Sequence, residues 1–445
     1  MVSSLRSFAQ SASLLAFGGY LGALAACSSE DSPVGGAAGS APSGAGGSAV
    51  AGTPSGGNGG SSAAAGTATT GGAASGNGST GGSGVSIGGA GGSAGPGGSG
   101  GSSGAAGTAT GGGSGGSGGS GGMLPEVSSE GDGDSEVGPT YTKDPDLNDQ
   151  KNPRGKKFTF SMKIADSQIF DGKDSTLNKP VNETRSITVY VPALYKDGTD
   201  APVLVIQDGP GPIDKISYAL DNLTISTDPL KKLPPFIAVA VQNGGSDAQG
   251  SERGLEYDTM SDRYSRFIDT EVLPAVVANG MIKAAYPGLK FTKNPQGRGA
   301  FGCSSGGAAA LTMGWFAPNL WSRIVTYSGT FVDQQNHAQP EAMMMNLRYG
   351  AWEYHSDAEL IKTADSKPLR IFINANENDN GAADAEATHH NWVMANERTA
   401  EDLAAKKYHY QYVFGKGAGH CDGKVQDATI AKALSWVWRG YVYQG

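Results

Sequence analysis

Charge is what the first third of this chain lacks. The 445 residues carry 33 Lys and Arg against 42 Asp and Glu, yet none of them lies between Ser32 and Pro125. Aromatic side chains are missing there as well: after Tyr20 none occurs before Tyr141. A stretch with neither bulky apolar groups nor charge pairs cannot bury enough area to offset its ordering entropy. Its glycines, 39 of the chain's 71 between Asp31 and Gly122, follow no strict Gly-X-Y period, which excludes a collagen helix. The expectation is a flexible coil. About 95 such residues have an r.m.s. span of roughly 55 Å. The chain also lacks a basic excess. Its net charge of -9 argues against a nucleic-acid surface. It contains no long hydrophobic run either: the apolar stretch from Ala12 to Ala26 is too short to span a bilayer at 1.5 Å per residue.

That stretch follows Arg6 and ends in Leu24-Ala25-Ala26-Cys27. A positive start, a short apolar core and small terminal residues mark an export signal. The ending resembles the lipobox of bacterial lipoproteins. The resemblance implies cleavage before Cys27, lipidation of its thiol and anchoring in a membrane by acyl chains. Ser28 and Ser29 follow, with no Asp after Cys27, which by the same likeness favours the outer membrane or cell surface. The expected organisation is a signal peptide over 1–26, a disordered Gly/Ser/Ala-rich linker with an acidic end over 27–138, and a folded domain over 139–445.

The folded part alternates two kinds of segment. Lys156–Met162 and Thr184–Pro192 suit an antiparallel pair of strands. Ala201–Asp208, Phe236–Gln242, Arg298–Cys303, Arg323–Ser328, Leu369–Ala375 and Tyr408–Phe414 are apolar runs of the kind buried on both faces of a parallel sheet. Helical stretches are expected at Ser261–Val277, Gly307–Phe316, Asn391–Lys406 and Asp427–Tyr441. Strands alternating with helices over about 300 residues indicate one α/β domain.

Gly302-Cys303-Ser304-Ser305-Gly306 stands between an apolar strand and a small-residue helix, the setting of a nucleophile elbow. Ser304 is the candidate nucleophile. The two glycines remove side chains from a tight turn, and the helix start favours an oxyanion. His420 follows the last strand in Gly415-Lys-Gly-Ala-Gly419-His420, a loop expected to be flexible, and is the candidate base. His409 lies within the strand pattern and is expected to be structural. His389 and His390 suggest a metal only weakly, because adjacent residues face differently on a helix; no metal or cofactor is expected. The acid follows the strand ending at Ala375, where Asp379 and Glu377 compete and spacing favours Asp379. Its work is to hold the His tautomer and stabilise the imidazolium. Cys303 precedes Ser304 and Cys421 follows His420. Nucleophile and base must meet, so their neighbours are expected to form a disulfide, permitted in an exported protein. Closing a loop of about 118 residues is worth on the order of 4–5 kcal/mol in the chain-entropy model. The oxyanion donors are expected at the Ser305 N–H and in the loop Gln207-Asp208-Gly209-Pro210-Gly211. Pro210 has no N–H, leaving Gly209 or Gly211, with Gly209 favoured.

These motifs, with Tyr190-Val-Pro192, Arg253-Gly-Leu-Glu256-Tyr257-Asp258, Trp392-Val-Met-Ala395-Asn396 and Leu434-Ser-Trp436-Val-Trp438, resemble the enterochelin-esterase-like branch of the α/β-hydrolases. The resemblance covers residues from about 150 to 445. It implies an α/β-hydrolase fold, a triad of Ser304, Asp379 and His420, supporting roles for Asp208, Arg253 and Glu256 near the oxyanion loop, and hydrolysis of carboxylic esters without a cofactor. Sugar-linked or aromatic acyl esters are a common theme of that branch, and the Cys-Ser, Asp, His-Cys arrangement, similar to that of tannase and fungal feruloyl esterases and to a bridge in glucuronoyl esterases, tilts the expected substrate toward plant-wall esters. A serine peptidase of the same fold and a non-catalytic carbohydrate-binding lipoprotein are the alternatives. Val332–Trp352, with Met343-Met344-Met345, is either a lid or wall of the site or part of the core.

Overall fold

The computed structural model describes residues 130–445. The expected signal segment, Cys27 and the linker up to residue 129 lie outside the described residues.

Among the described residues eleven strands form: β1 (Gly133–Val137), β2 (Lys156–Lys163), β3 (Thr184–Val191), β4 (Asp200–Ala201), β5 (Val203–Ile206), β6 (Ile237–Val241), β7 (Lys290–Phe291), β8 (Arg298–Cys303), β9 (Arg323–Tyr327), β10 (Arg370–Asn378) and β11 (His409–Gly419). Nine of them make one sheet in the order β1-β11-β10-β9-β8-β5-β6-β3-β2, while β4 and β7 pair separately. β3 runs antiparallel to β2 and to β6, and every other pair in the large sheet is parallel. This is the α/β-hydrolase arrangement: a mostly parallel sheet that starts with an antiparallel strand pair.

The continuous apolar runs explain why the sheet lies in the middle. Successive side chains of a strand point to opposite faces. Val203 and Val205 of β5 join one core cluster with Val239 and Ile373, whereas Leu204 and Ile206 join the other with Ala238 and Phe372. Helices cover both faces. Because β8, β9, β10 and β11 run parallel, their carboxyl ends share one edge of the sheet, and the loops that follow them converge there.

Several elements differ from expectation: the helix Ile213–Leu223 lies outside the expected helical stretches, and the last helix spans Gly423–Val437. β1 lies within the segment assigned to the linker, so the folded part begins before residue 139. Its sequence, Gly-Asp-Ser-Glu-Val, has poor strand propensity. It is held by its ladder to β11, by Asp132 on His409 at 2.8 Å and by the Trp436 indole N–H on the Glu130 carbonyl at 3.0 Å. The run from Ala201 to Asp208 is broken at Pro202, which has no N–H to extend the ladder. The helix expected over Ser261–Val277 contains a π-turn at Ile268–Val272, where the Leu273 N–H reaches the Ile268 carbonyl. Pro274 follows, and its missing N–H and ring would disrupt regular α bonding at that turn. Finally, β10 and β11 run beyond their apolar cores. Gly415–Gly419, expected as a flexible loop, is strand, pairing through Asn376–Gly415 and, after a bulge, Asn378–Gly419.

Candidate active site

β8 ends at Cys303, and the helix Ser305–Phe316 starts two residues later. The one residue between them, Ser304, has φ 59° and ψ -133°, a backbone rarely adopted by an L-residue. Neighbouring glycines make this turn possible. A Cβ on Gly302 would collide with the Gly306 carbonyl, and one on Gly306 would stand 2.9 Å from an Asp208 carboxylate oxygen. The Ser304 N–H donates to the Tyr327 carbonyl on β9 at 3.0 Å, and the Ser304 carbonyl accepts from the Thr330 N–H at 3.0 Å. The strained residue is therefore held from both sides. Ser305 opens the helix, so its N–H is among those a helix start leaves without an intrahelical partner.

On the neighbouring strands, the ring of His420 meets Asp379: Nδ1 lies 2.5 Å from Oδ1. The Asp379 carboxylate is completely buried and the His420 ring retains 23% of its exposure. The Asn380 N–H also donates to Asp379 Oδ1, at 2.9 Å, and the Asn376 N–H to Oδ2, at 3.3 Å. Charge-assisted bonds of this kind fix the carboxylate and, through it, the imidazole. Glu377, the competing acid, points elsewhere; its Oε2 accepts from the Gly417 N–H at 2.6 Å and so holds the extended end of β11. The strand ends are tied together below the His. Asn376 Nδ2 donates to the Gly419 carbonyl at 2.7 Å and to Ser328 Oγ at 3.2 Å, and Ser328 Oγ accepts from the Cys421 N–H at 3.0 Å.

Cys303 and Cys421 form a disulfide with their Cα atoms 6.0 Å apart. The bridge joins the residue before Ser304 to the residue after His420, so the elbow and the His–Asp pair occupy one edge of the sheet.

The loop after β5 departs from expectation. The Gly209 N–H donates to the Val241 carbonyl at 2.9 Å, so it continues the sheet ladder and is not the second oxyanion donor. Asp208, at φ 62°, donates its N–H to Tyr257 Oη at 3.0 Å. Its carboxylate takes a two-pronged bond from Arg253, at 2.7 and 2.9 Å, and a third bond from Asn243 Nδ2 at 2.8 Å. Arg253 thus holds the loop beside the elbow, as the resemblance implied. Glu256 acts one step further away. It is paired with Arg185 at 2.7 Å, both fully buried, and accepts from the Gly244 N–H at 3.2 Å. Motif position alone did not separate these two tasks.

Behind this loop lie carboxyl groups that the sequence reading left without a role. Burial pushes Asp258 up to about 8 despite opposing effects from Arg253 and the Ser305 hydroxyl. Burial also raises Glu252 to about 7, with nearby Glu256 adding to the effect. Asp258 is therefore held mainly as the neutral acid at pH 7, while Glu252 is close to half ionised there.

His389 and His390 do not converge: His389 stacks on Trp352 with ring centres 4.5 Å apart, while His390 Nδ1 lies 2.6 Å from the Thr388 carbonyl. His409 meets Asp132, as a structural residue would. His355, buried, is lowered to about 4 by desolvation and stays neutral. The three consecutive methionines are exposed on the short helix Pro340–Met345, so they are not core residues.

The family model described as "Putative esterase" matches residues 179–422, more than half of the chain. The chain belongs to this esterase family. It is a hydrolase acting on carboxylic esters. Its Ser304 elbow and the His420–Asp379 pair both lie inside the matched span. No curated protein matches the esterase. Among solved structures it is similar to a ferulic acid esterase, at 18% identity over 64% of this chain and 98% of the other, with a TM-score of 0.44. It is similar to the enterochelin esterase of Shigella flexneri at 18% identity, over 60% and 61%, with a TM-score of 0.39. A ferulic acid esterase of the anaerobic fungus Anaeromyces mucronatus shares 12% identity over 65% and 93%, with a TM-score of 0.43.

Proposed function

We propose that the esterase works by a Ser304–His420–Asp379 triad through an acyl-enzyme. The observation carrying this reading is the buried Asp379 carboxylate 2.5 Å from His420 Nδ1, on the strand edge bridged by disulfide to the Ser304 elbow. Asp379 holds the Nδ1–H tautomer, which leaves Nε2 to act as the base. Ser304 Oγ attacks the ester carbonyl, His420 takes its proton, and the carbonyl oxygen becomes an oxyanion facing the Ser305 N–H at the helix start. His420 then protonates the leaving alcohol, and water releases the acid by the reverse sequence. The substrate is proposed to be an aromatic or sugar-linked acyl ester, a common theme of the enterochelin-esterase-like branch, and the paired cysteines flanking Ser304 and His420, which resemble those of feruloyl esterases and tannase, tilt it toward plant-wall esters.

The esterase is also proposed to act at the cell surface, acylated at Cys27 and carried on its Gly-rich linker. The lipobox-like ending supports this, and the linker gives reach toward bulky or external substrates.

A panel of feruloyl, acetyl-xylan, glucuronoyl-methyl and catecholate esters tests the acyl preference, and a fluorophosphonate probe tests the nucleophile. Labelling is expected on the peptide that contains Ser304, with feruloyl or sugar-linked esters turned over fastest. Absence of label on that peptide overturns the mechanism. For anchoring, mass spectrometry of protein from the bacterial envelope is expected to find a diacylated Cys27 as the N-terminus, and an unmodified cysteine there sinks the proposal.

A further inference from the structure

Ser304 Oγ has a polar neighbour from another element. Thr330, from the loop after β9, is buried at 1% exposure and places Oγ1 3.4 Å from Ser304 Oγ. The same Oγ1 accepts from the indole Nε1–H of Trp392 at 3.2 Å. Trp392 begins the helix Trp392–Ala405, and its ring stands edge-to-face with His420, centres 6.0 Å apart. Both partners are pinned. The Thr330 N–H binds the Ser304 carbonyl, and Asn396 Nδ2 donates to the carbonyls of Gly329 and Trp392, each at 2.8 Å. No local feature of the sequence singles out Thr330.

An indole nitrogen donates and never accepts, whereas a hydroxyl does both. The Trp392 N–H occupies one lone pair of Thr330, which leaves its hydrogen and its second lone pair to face Ser304 Oγ. We infer that Thr330 is a positioning residue for the nucleophile, itself held by Trp392. The chain runs from indole N–H to Thr330 hydroxyl to Ser304 hydroxyl. This rests on the triad reading above. No proton crosses from Thr330; its bond selects the Ser304 rotamer from which attack occurs and supports charge on Oγ as the proton leaves. At 3.4 Å the bond is long in the resting enzyme, as catalytic bonds often are before substrate closes the site.

The test is steady-state kinetics of the full chain on p-nitrophenyl esters, with Ser304→Ala run alongside. Thr330→Val keeps the shape and loses the hydroxyl; Thr330→Ser keeps the hydroxyl and loses the methyl. Thr330→Val is expected to lower kcat about tenfold, the value of one hydrogen bond, with KM within about twofold. Thr330→Ser should restore most of kcat. Trp392→Phe, which retains the ring but not the N–H, is expected to lower kcat roughly threefold, and to add nothing once Thr330 is Val. A Thr330→Val enzyme with wild-type kcat overturns the inference. So does a Thr330→Ser enzyme as impaired as Thr330→Val, or full additivity with Trp392→Phe. If Ser304→Ala is itself active, the triad reading fails instead, which separates the two failures.

Discussion

Ser304 and His420 sit at the ends of parallel strands, but β8 and β11 hold them by different means. The β8 side is local. Gly302, Ser304 and Gly306 lie within five residues, and their steric needs are met by one another and by the helix they begin. The β11 side is assembled from distant parts. His420 depends on Asp379 just after β10, on Asn376 and Ser328 beneath the strand ends, and on a glycine-rich strand end whose Gly417 N–H donates to Glu377. The local half is set once the strand enters its helix. The other half exists only when three strands are in register, and the disulfide ties the second to the first.

The largest expected effect is on the local half. Ser304→Ala should lower kcat by about 10⁴-fold or more if Ser304 is the nucleophile proposed, as such a loss does where residues act as a unit, measured on short p-nitrophenyl esters with folding checked by circular dichroism. The next contrast lies at the end of β10. Asp379→Asn should cost about 10²–10⁴-fold through the wrong imidazole tautomer, whereas Glu377→Gln should change kcat by less than about threefold. If Glu377→Gln is the more damaging of the two, the acid has been assigned to the wrong residue.

Breaking the tie between the halves should show in stability. Replacing both Cys303 and Cys421 by Ala is expected to cost roughly 2–5 kcal/mol in denaturant unfolding. Equal stability with and without the bridge would mean that the strand register alone holds the halves together.

The smallest effect concerns Glu252 and the pH dependence of stability. Its folded-state pKa is raised from 4.5 to about 7 by burial and by Glu256. Between those values the folded chain binds the proton that the unfolded chain has released, so this contribution is fully present below about 4.5 and is lost as pH rises toward 7. Unfolding free energy should therefore fall over that window. Glu252→Gln, which cannot ionise, should flatten the slope, and an unchanged slope would remove Glu252 as its source.

How much was legible follows from the range of each interaction. Alternating apolar runs and helical stretches announced the α/β fold, because burial on both faces leaves a continuous hydrophobic signature. β1 escaped notice because Gly133–Val137 has no such signature and gains its strand form from β11. Gly209 was misjudged because a glycine's freedom says nothing about where its N–H points; pairing with Val241 decided that. Thr330 and Asp258 carry no motif, and their roles arise only from what surrounds them.

By itself the sequence determined the alternation of buried strands with helices, the elbow glycines, and Ser304, His420 and the two cysteines as a linked set. These rest on steric and periodic constraints acting over a few residues, or on adjacency along the chain. Only the tertiary structure decided that Asp379 and not Glu377 meets His420, that Arg253 rather than Glu256 grips Asp208, and that Thr330 stands between Ser304 and Trp392. Side chains one or two residues apart are nearly equivalent in sequence. The strand register and the bulge between Asn376 and Asn378 make them unequal, by turning one carboxylate inward to the imidazole and the other outward to a backbone N–H.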